Sequence, residues 1–152
     1  MRKIIGLDIH GTIDHDPEFF RILSIIAKCM RVETHVLTGE KISDKLRNEL
    51  DAFGIIHTRL FSISTHHQDI GTDIIWEDSN NPVINSTLWN RTKGDYCALY
   101  NVDLMIDDSG DYGEFFTTPY LKYDKDKDMV RAILLEFEKI LSHDIIDDHQ
   151  EV

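Results

Sequence analysis

The sequence predicts an α/β fold of three layers, with helices on both faces of a central, mainly parallel sheet. Two observations predict it. Short apolar runs alternate along the chain with longer segments of helical periodicity. Polar residues stand where three of those runs end, at Asp8, Thr38-Gly39 and Asp107-Asp108, and sheets of this kind bind ligands at the carboxyl ends of their strands.

The elements follow in order. Ile4 to Ile9 reads as a buried strand, being short, apolar and closed by a glycine turn. Asp16-Pro17 opens a helix, with the aspartate as cap and the proline in the first turn. Its apolar positions are Phe19, Phe20, Leu23, Ile26, Ala27 and Met30. Thr34 to Leu37 is a second strand, ending at Thr38-Gly39. Helical spacing resumes from Lys41 to Phe53, with Ile42, Leu46, Leu50 and Phe53 on one face and Gly54 as the stop. Ile55-Ile56 and Leu60 to Ile63 suggest a third strand. Between Ser64 and Asn90 the pattern weakens, and Asp73 to Glu77 is expected to pair with Val83 to Leu88 as a small hairpin-like insertion. A helix is expected from about Thr92 to Asn101, opened by Lys93, and a fourth strand from Asp103 to Asp107. Pro119 to Leu121 reads as an edge strand and Lys127 to Leu141 as the last helix, with Val130, Ile133, Leu134, Phe137 and Ile140 toward the core. These elements make one domain over residues 1–142, and residues 143–152 read as a frayed tail.

Composition narrows the function. A chain of 152 residues, 41% hydrophobic and 29% charged, suits one ordinary globular core. No apolar run approaches the roughly 18 residues of a membrane span, and MRKIIGLD enters the strand pattern directly, so a cytoplasmic protein is expected. Cys29 and Cys97 lie far apart, without metal or redox spacing, and read as two buried thiols in a reducing cytoplasm. A formal net charge of −12 repels nucleic-acid backbone and anionic lipid, which makes nucleic acid an unlikely partner. It leaves room for a small phosphorylated ligand, because a bound divalent cation inverts the local field.

The strand ends carry the chemistry. Asp8, Asp107 and Asp108 would repel one another if gathered at one edge, and a hard cation such as Mg²⁺ resolves that repulsion through oxygen ligands. Thr38 offers a hydroxyl, Gly39 a closely approachable N–H, and Lys93 a charge for a phosphate. These are the parts needed to hold a phosphoryl group against a carboxylate nucleophile.

In this arrangement the chain resembles the haloacid dehalogenase (HAD) superfamily of phosphohydrolases, whose fold is Rossmann-like. LDIHGTI is similar to the family's first motif, with Asp8 at the nucleophile, and VLTG to its second, ending in Thr38. Lys93, in RTKGDYCALYNVDLMIDD, matches the third motif's lysine and Asp107-Asp108 the acidic fourth motif. The four occur in order over residues 4–110, and the spacing of Lys93 to the IDD ending is similar to small 5'-deoxyribonucleotidase-like members. The resemblance implies attack by Asp8 on phosphorus. It also implies Mg²⁺ held by Asp8, the backbone carbonyl of His10, and Asp108 with Asp107 nearby, and phosphate bound by Thr38, Gly39 and Lys93. It further implies little or no cap domain, since 11–38 and 64–90 are both too short for one, and hence an open site for a nucleotide or small phosphomonoester. The sequence departs from the family at His10, where the hydrolases carry the aspartate that protonates the leaving group and then activates water. An imidazole, with an ordinary pKa of about 6.5, has the proton affinity for that role but a different reach and charge. The alternative is a catalytically weak or inactive protein that keeps the fold and binds a phosphorylated ligand or a protein partner. Trp76 and Trp89 are expected to pack in the core, the alternative being to stack on a base or sugar near the site, and the pair His66-His67 to be solvated loop histidines, the alternative being metal ligands.

Overall fold

The computed structural model describes residues 1–78 and 82–142. Five strands, β1 (Lys3–Asp8), β2 (Val32–Thr38), β3 (Arg59–Ser62), β6 (Leu104–Asp107) and β7 (Tyr120–Lys122), form one sheet in the order β3-β2-β1-β6-β7. Every neighbouring pair in it is parallel. Helices α1 (Pro17–Cys29), α2 (Asp44–Phe53) and α5 (Val130–Ser142) supply the larger core, around Ile5, Leu7, Val36 and Ile106. Helix α4 (Ser86–Tyr100) supplies the smaller one on the other face, around Leu37, Tyr96, Cys97 and Met105. The fold is therefore a three-layer, Rossmann-like α/β/α arrangement with a parallel central sheet.

Strand order reverses direction between β1 and β6, which lie side by side although most of the chain separates them. In such sheets the crevice at that switch point is where ligands sit. The alternation of side chains along a strand then decides what faces it. Ile5 and Leu7 of β1 enter the larger core, so Asp8 turns to the α4 face; Ile106 of β6 does likewise, leaving Met105 and Asp107 on the α4 side.

Several boundaries differ from the sequence reading, each for a local reason. Helix α1 buries Phe20, Leu23, Ser24 and Ala27, while Ile26, Met30 and Cys29, the last expected to be a buried thiol like Cys97, are exposed at its outer face and end. Ser24 is satisfied inside because its hydroxyl donates to the Arg21 carbonyl and accepts from the Ile56 N–H. That last bond also keeps Ile55-Ile56 out of the sheet. Helix α2 begins at Asp44, not Lys41, since the Ser43 hydroxyl accepts from the Leu46 N–H. The Ser62 hydroxyl caps a helix in the same way, so Ile63 leaves β3 and starts α3 (Ile63–Asp69). The expected hairpin is antiparallel but shorter: β4 (Ile75–Trp76) pairs with β5 (Pro82–Val83), and its turn at 79–81 lies outside the described residues. Asn85 then caps α4 by accepting from the Leu88 N–H, so α4 starts six residues before the expected Thr92, and Lys93 sits in its middle instead of opening it. Val130 and Leu134 of α5 are exposed, and Ile133, Phe137 and Ile140 face the core. The expected frayed tail, 143–152, lies outside the described residues.

Candidate functional site

Asp8, Asp107 and Asp108 meet at the carboxyl ends of β1 and β6. One carboxylate oxygen from each lies within 4.8 Å of the other two. Lys93 reaches down from α4 into this group. Its ammonium donates to Asp8 Oδ1 at 2.7 Å and to Asp107 Oδ2 at 2.6 Å, with all three residues buried. Asp107 is fixed further by accepting the Ser109 N–H through Oδ1 at 2.9 Å.

Glycine makes the approach of Asp108 possible. Past Asp8 the chain turns sharply, with His10 at φ −76°, ψ 121° and Gly11 at φ 80°, ψ 0°, the dihedrals of a type II turn, whose third residue favours glycine. Asp108 packs against that turn, and a Cβ on Gly11 would overlap its carboxylate. The HGT stretch is thus shaped around an acidic side chain a hundred residues further along.

The electrostatics are those of an under-neutralised site. Burial pushes the Asp8 carboxyl up to about 7 against the pull of Lys93, and the charges of Asp107 and Asp108 add to the rise. Burial alone would discharge Lys93, but the Asp8 and Asp107 carboxylates outweigh it and hold its pKa above the ordinary lysine value. One ammonium faces three carboxylates. The donor set is all oxygen, clustered and short of positive charge, which fits a hard divalent cation.

His10 stands apart from this group. Its side chain is half exposed, and Nε2 lies 2.7 Å from Glu40 Oε2 while Nδ1 lies 3.6 Å from Asp14 Oδ2. Burial opposes a charge on the ring, but the hydrogen bond and charge of Glu40, with Asp8 and Asp14, raise its pKa above the usual value. Asp14 is itself held in place, since its Oδ1 accepts the Gly11 N–H at 2.7 Å.

A cavity of about 540 Å³ opens over these residues, lined by Asp8, His10, Gly39, Lys93, Asp107 and Asp108 among others. Of the residues expected to bind phosphate, Gly39 and Lys93 face it. Thr38 does not line it: the residue is fully buried and its hydroxyl accepts the Glu40 N–H at 3.2 Å, which shapes the turn that carries Gly39 and Glu40.

The cavity has an aromatic wall, of which the sequence offered Trp89 as the alternative to core packing and did not single out Tyr112. Trp89, expected in the core, lines the cavity, and its indole N–H donates to the Tyr112 hydroxyl at 2.9 Å. Tyr112 in turn lies under the Lys93 ammonium, 4.9 Å from ring centre to nitrogen. Gly39 lets the wall come close, since a Cβ there would lie 2.8 Å from the Trp89 ring. The only sequence signal for Tyr112 was its place in the loop just after the acidic strand end. His67, expected in solvent, is buried between Thr72 and Thr92, 2.8 Å from each hydroxyl. Thr92 commits its proton to the Leu88 carbonyl at 2.6 Å, so Nε2 carries hydrogen and donates to Thr92, while Nδ1 accepts from Thr72. His67 therefore ties the segment after β3 to α4, one residue from Lys93.

No family model matches the sequence, and no curated protein matches it. In structure the chain is similar to an uncharacterized protein from Corynebacterium glutamicum solved at 1.44 Å resolution. The two are 16% identical, the match covers 93% of this chain and 96% of that one, and the TM-score is 0.55. At that identity the likeness speaks for the fold. Among the described residues no helix is long and apolar enough to cross a membrane.

Proposed function

We propose that the protein is a Mg²⁺-dependent phosphomonoester hydrolase of the haloacid dehalogenase type, working through an aspartyl-phosphate on Asp8. The observation that carries this reading is the Lys93 ammonium seated between Asp8 and Asp107, with Asp108 completing three carboxylates, at the switch point of a parallel sheet. The resemblance of the four motifs supports the same assignment.

Asp8, Asp107, Asp108 and the His10 carbonyl would hold the Mg²⁺. The ion supplies charge neutralisation, both for the carboxylate cluster and for the phosphoryl oxygens. The rest falls to the chain. Lys93 and the N–H groups near Gly39 orient the phosphate. Asp8 attacks phosphorus as its carboxylate, the bond to the ester oxygen breaks, and protonated His10 gives its proton to the departing oxygen. Neutral His10 then takes a proton from a water molecule, which attacks phosphorus and releases inorganic phosphate with Asp8 as carboxylate again. The wall of Trp89 and Tyr112 suits a flat or apolar leaving group, such as a nucleoside.

A second reading has its own observation. His10 is turned to Glu40 and Asp14 at the rim and makes no hydrogen bond to the carboxylate cluster, which favours slow turnover or phosphate binding without hydrolysis.

The test is hydrolysis of p-nitrophenyl phosphate and of nucleoside monophosphates with Mg²⁺. Activity that EDTA removes and Asp8→Asn abolishes is the expected result. A flat response to every phosphomonoester, with phosphate still bound in the presence of Mg²⁺, would select the binding protein instead.

A further inference from the structure

A second, larger cavity lies at the opposite end of the sheet, where β1 and β2 begin. It measures about 920 Å³, within the range of small-molecule sites, and is lined by Arg2, Lys3, Lys28 and Arg31. In a chain of net charge −12, four basic side chains at one mouth make a local reversal of sign. Two of the four are already engaged. Arg2 pairs with Glu33, the one carboxylate in the lining, and Lys3 lies 3.9 Å from Asp103. Lys28 and Arg31 make no ion pair among the described residues and are exposed. Arg31 presents its side chain from a left-handed backbone, φ 60°, directly after α1.

The floor of the cavity supplies an independent observation. Thr34 is 3% exposed, and its hydroxyl oxygen is buried without a hydrogen-bond partner among the described residues. Thr34 lies on the same face of β2 as Val32 and Val36, which face the larger core, so its side chain is on the α1 side, where Ser24 and Lys28 line the same cavity. Buried hydroxyls are normally satisfied, and one without a partner in a cavity also lined by two cations that make no ion pair among the described residues is a donor awaiting an acceptor. Met30 and Ile56 add apolar surface at the rim. Guanidinium and ammonium groups with a buried hydroxyl match phosphate oxygens, and the apolar rim matches an organic body. The site lies about 20 Å from the carboxylate cluster, the length of β2 from Val32 to Thr38 at roughly 3.3 Å per residue.

We propose that this cavity, between Lys28, Arg31 and the Thr34 hydroxyl, binds a small phosphate-bearing organic anion of nucleotide size. It is a separate site from the one that would hold the reacting phosphoryl group.

Titration calorimetry of the full chain in EDTA at low salt tests this, with inorganic triphosphate and ATP as probes. Both bind the wild type, and ATP binds the more tightly. The double variant Lys28→Glu/Arg31→Glu, on exposed positions, weakens both at least tenfold and leaves p-nitrophenyl phosphate hydrolysis unchanged. Thr34→Val weakens triphosphate several-fold while the fold is retained by circular dichroism; if it does not fold, the charge-reversal pair decides alone. Asp108→Asn leaves probe binding intact. No saturable binding, binding that survives the charge reversal, or binding lost with Asp108→Asn would each overturn the proposal. So would tighter binding of a duplex RNA of equal phosphate concentration, which would mark a nucleic-acid surface.

Discussion

At the scale of single residues, the site turns on what each charge faces. Lys93 is buried between two carboxylates, and removing one partner of such a group leaves uncompensated charge inside the protein. Lys93→Met is expected to lower stability by about 3–5 kcal/mol. Mg²⁺ should restore part of that loss, because it supplies the missing positive charge; urea unfolding with Mg²⁺ or EDTA reads both effects. Gly11→Ala meets two obstacles at once, a φ of 80° and the Asp108 carboxylate. It should weaken Mg²⁺ binding even where the fold survives, and unchanged affinity by calorimetry would show that Asp108 is not a ligand. In the proposed reaction, His10 decides turnover. If its ring transfers the proton, His10→Ala should reduce kcat by about 10²–10⁴-fold, and His10→Asp should move the pH profile toward acid. Unchanged kinetics in both variants would remove His10 from the reaction.

At the scale of elements, α4 is the part that assembles the site. It carries Trp89 and Lys93 to the cavity and Tyr96 and Cys97 to the smaller core. Gly94 lets it lie against the turn at 113–115, where a Cβ would overlap the Phe115 carbonyl oxygen. Alanine in a helix gains about 1 kcal/mol over glycine, while overpacking against backbone costs about 1–3 kcal/mol. Gly94→Ala is therefore expected to be net destabilising in thermal unfolding, and to disturb Tyr112 at the head of that turn. The link from α3 to α4 is His67. Burial, aided by the charge of His66, holds its pKa below the ordinary 6.5. Below that ordinary value the unfolded chain binds a proton that the folded chain refuses, so stability is present above about pH 6.5 and falls with pH beneath it. Between pH 7.5 and 5.5 the wild type should lose more stability than His67→Gln, whose amide keeps both hydrogen-bonding roles without titrating. Parallel pH curves would show that His67 is not the acid-sensitive link.

At the scale of the whole molecule, a charge of −12 on 152 residues makes self-repulsion a measurable cost. Raising NaCl from about 0.01 to 0.3 M shortens the screening length from roughly 30 Å to below 10 Å. The melting temperature should rise across that range. A falling one would mean that ion pairs such as the Lys93 cluster outweigh the general repulsion.

The sequence by itself determined the alternation of strands and helices, the parallel sheet, and the aspartates at its strand ends. Those features are written locally, in apolar runs, helical spacing and the glycine turn after Asp8. It did not determine how far Lys93 lies along its helix, because that depended on Asn85, whose capping role is visible only from its bond to Leu88. Nor did it place Thr38 behind the cavity, His10 on Glu40, or Trp89 against Tyr112. Those positions depend on contacts between residues far apart in the chain, and tertiary packing chooses among side chains that local pattern treats alike. The sequence left Trp89 between core packing and a place near the site. Only the fold decided that its ring lines the cavity.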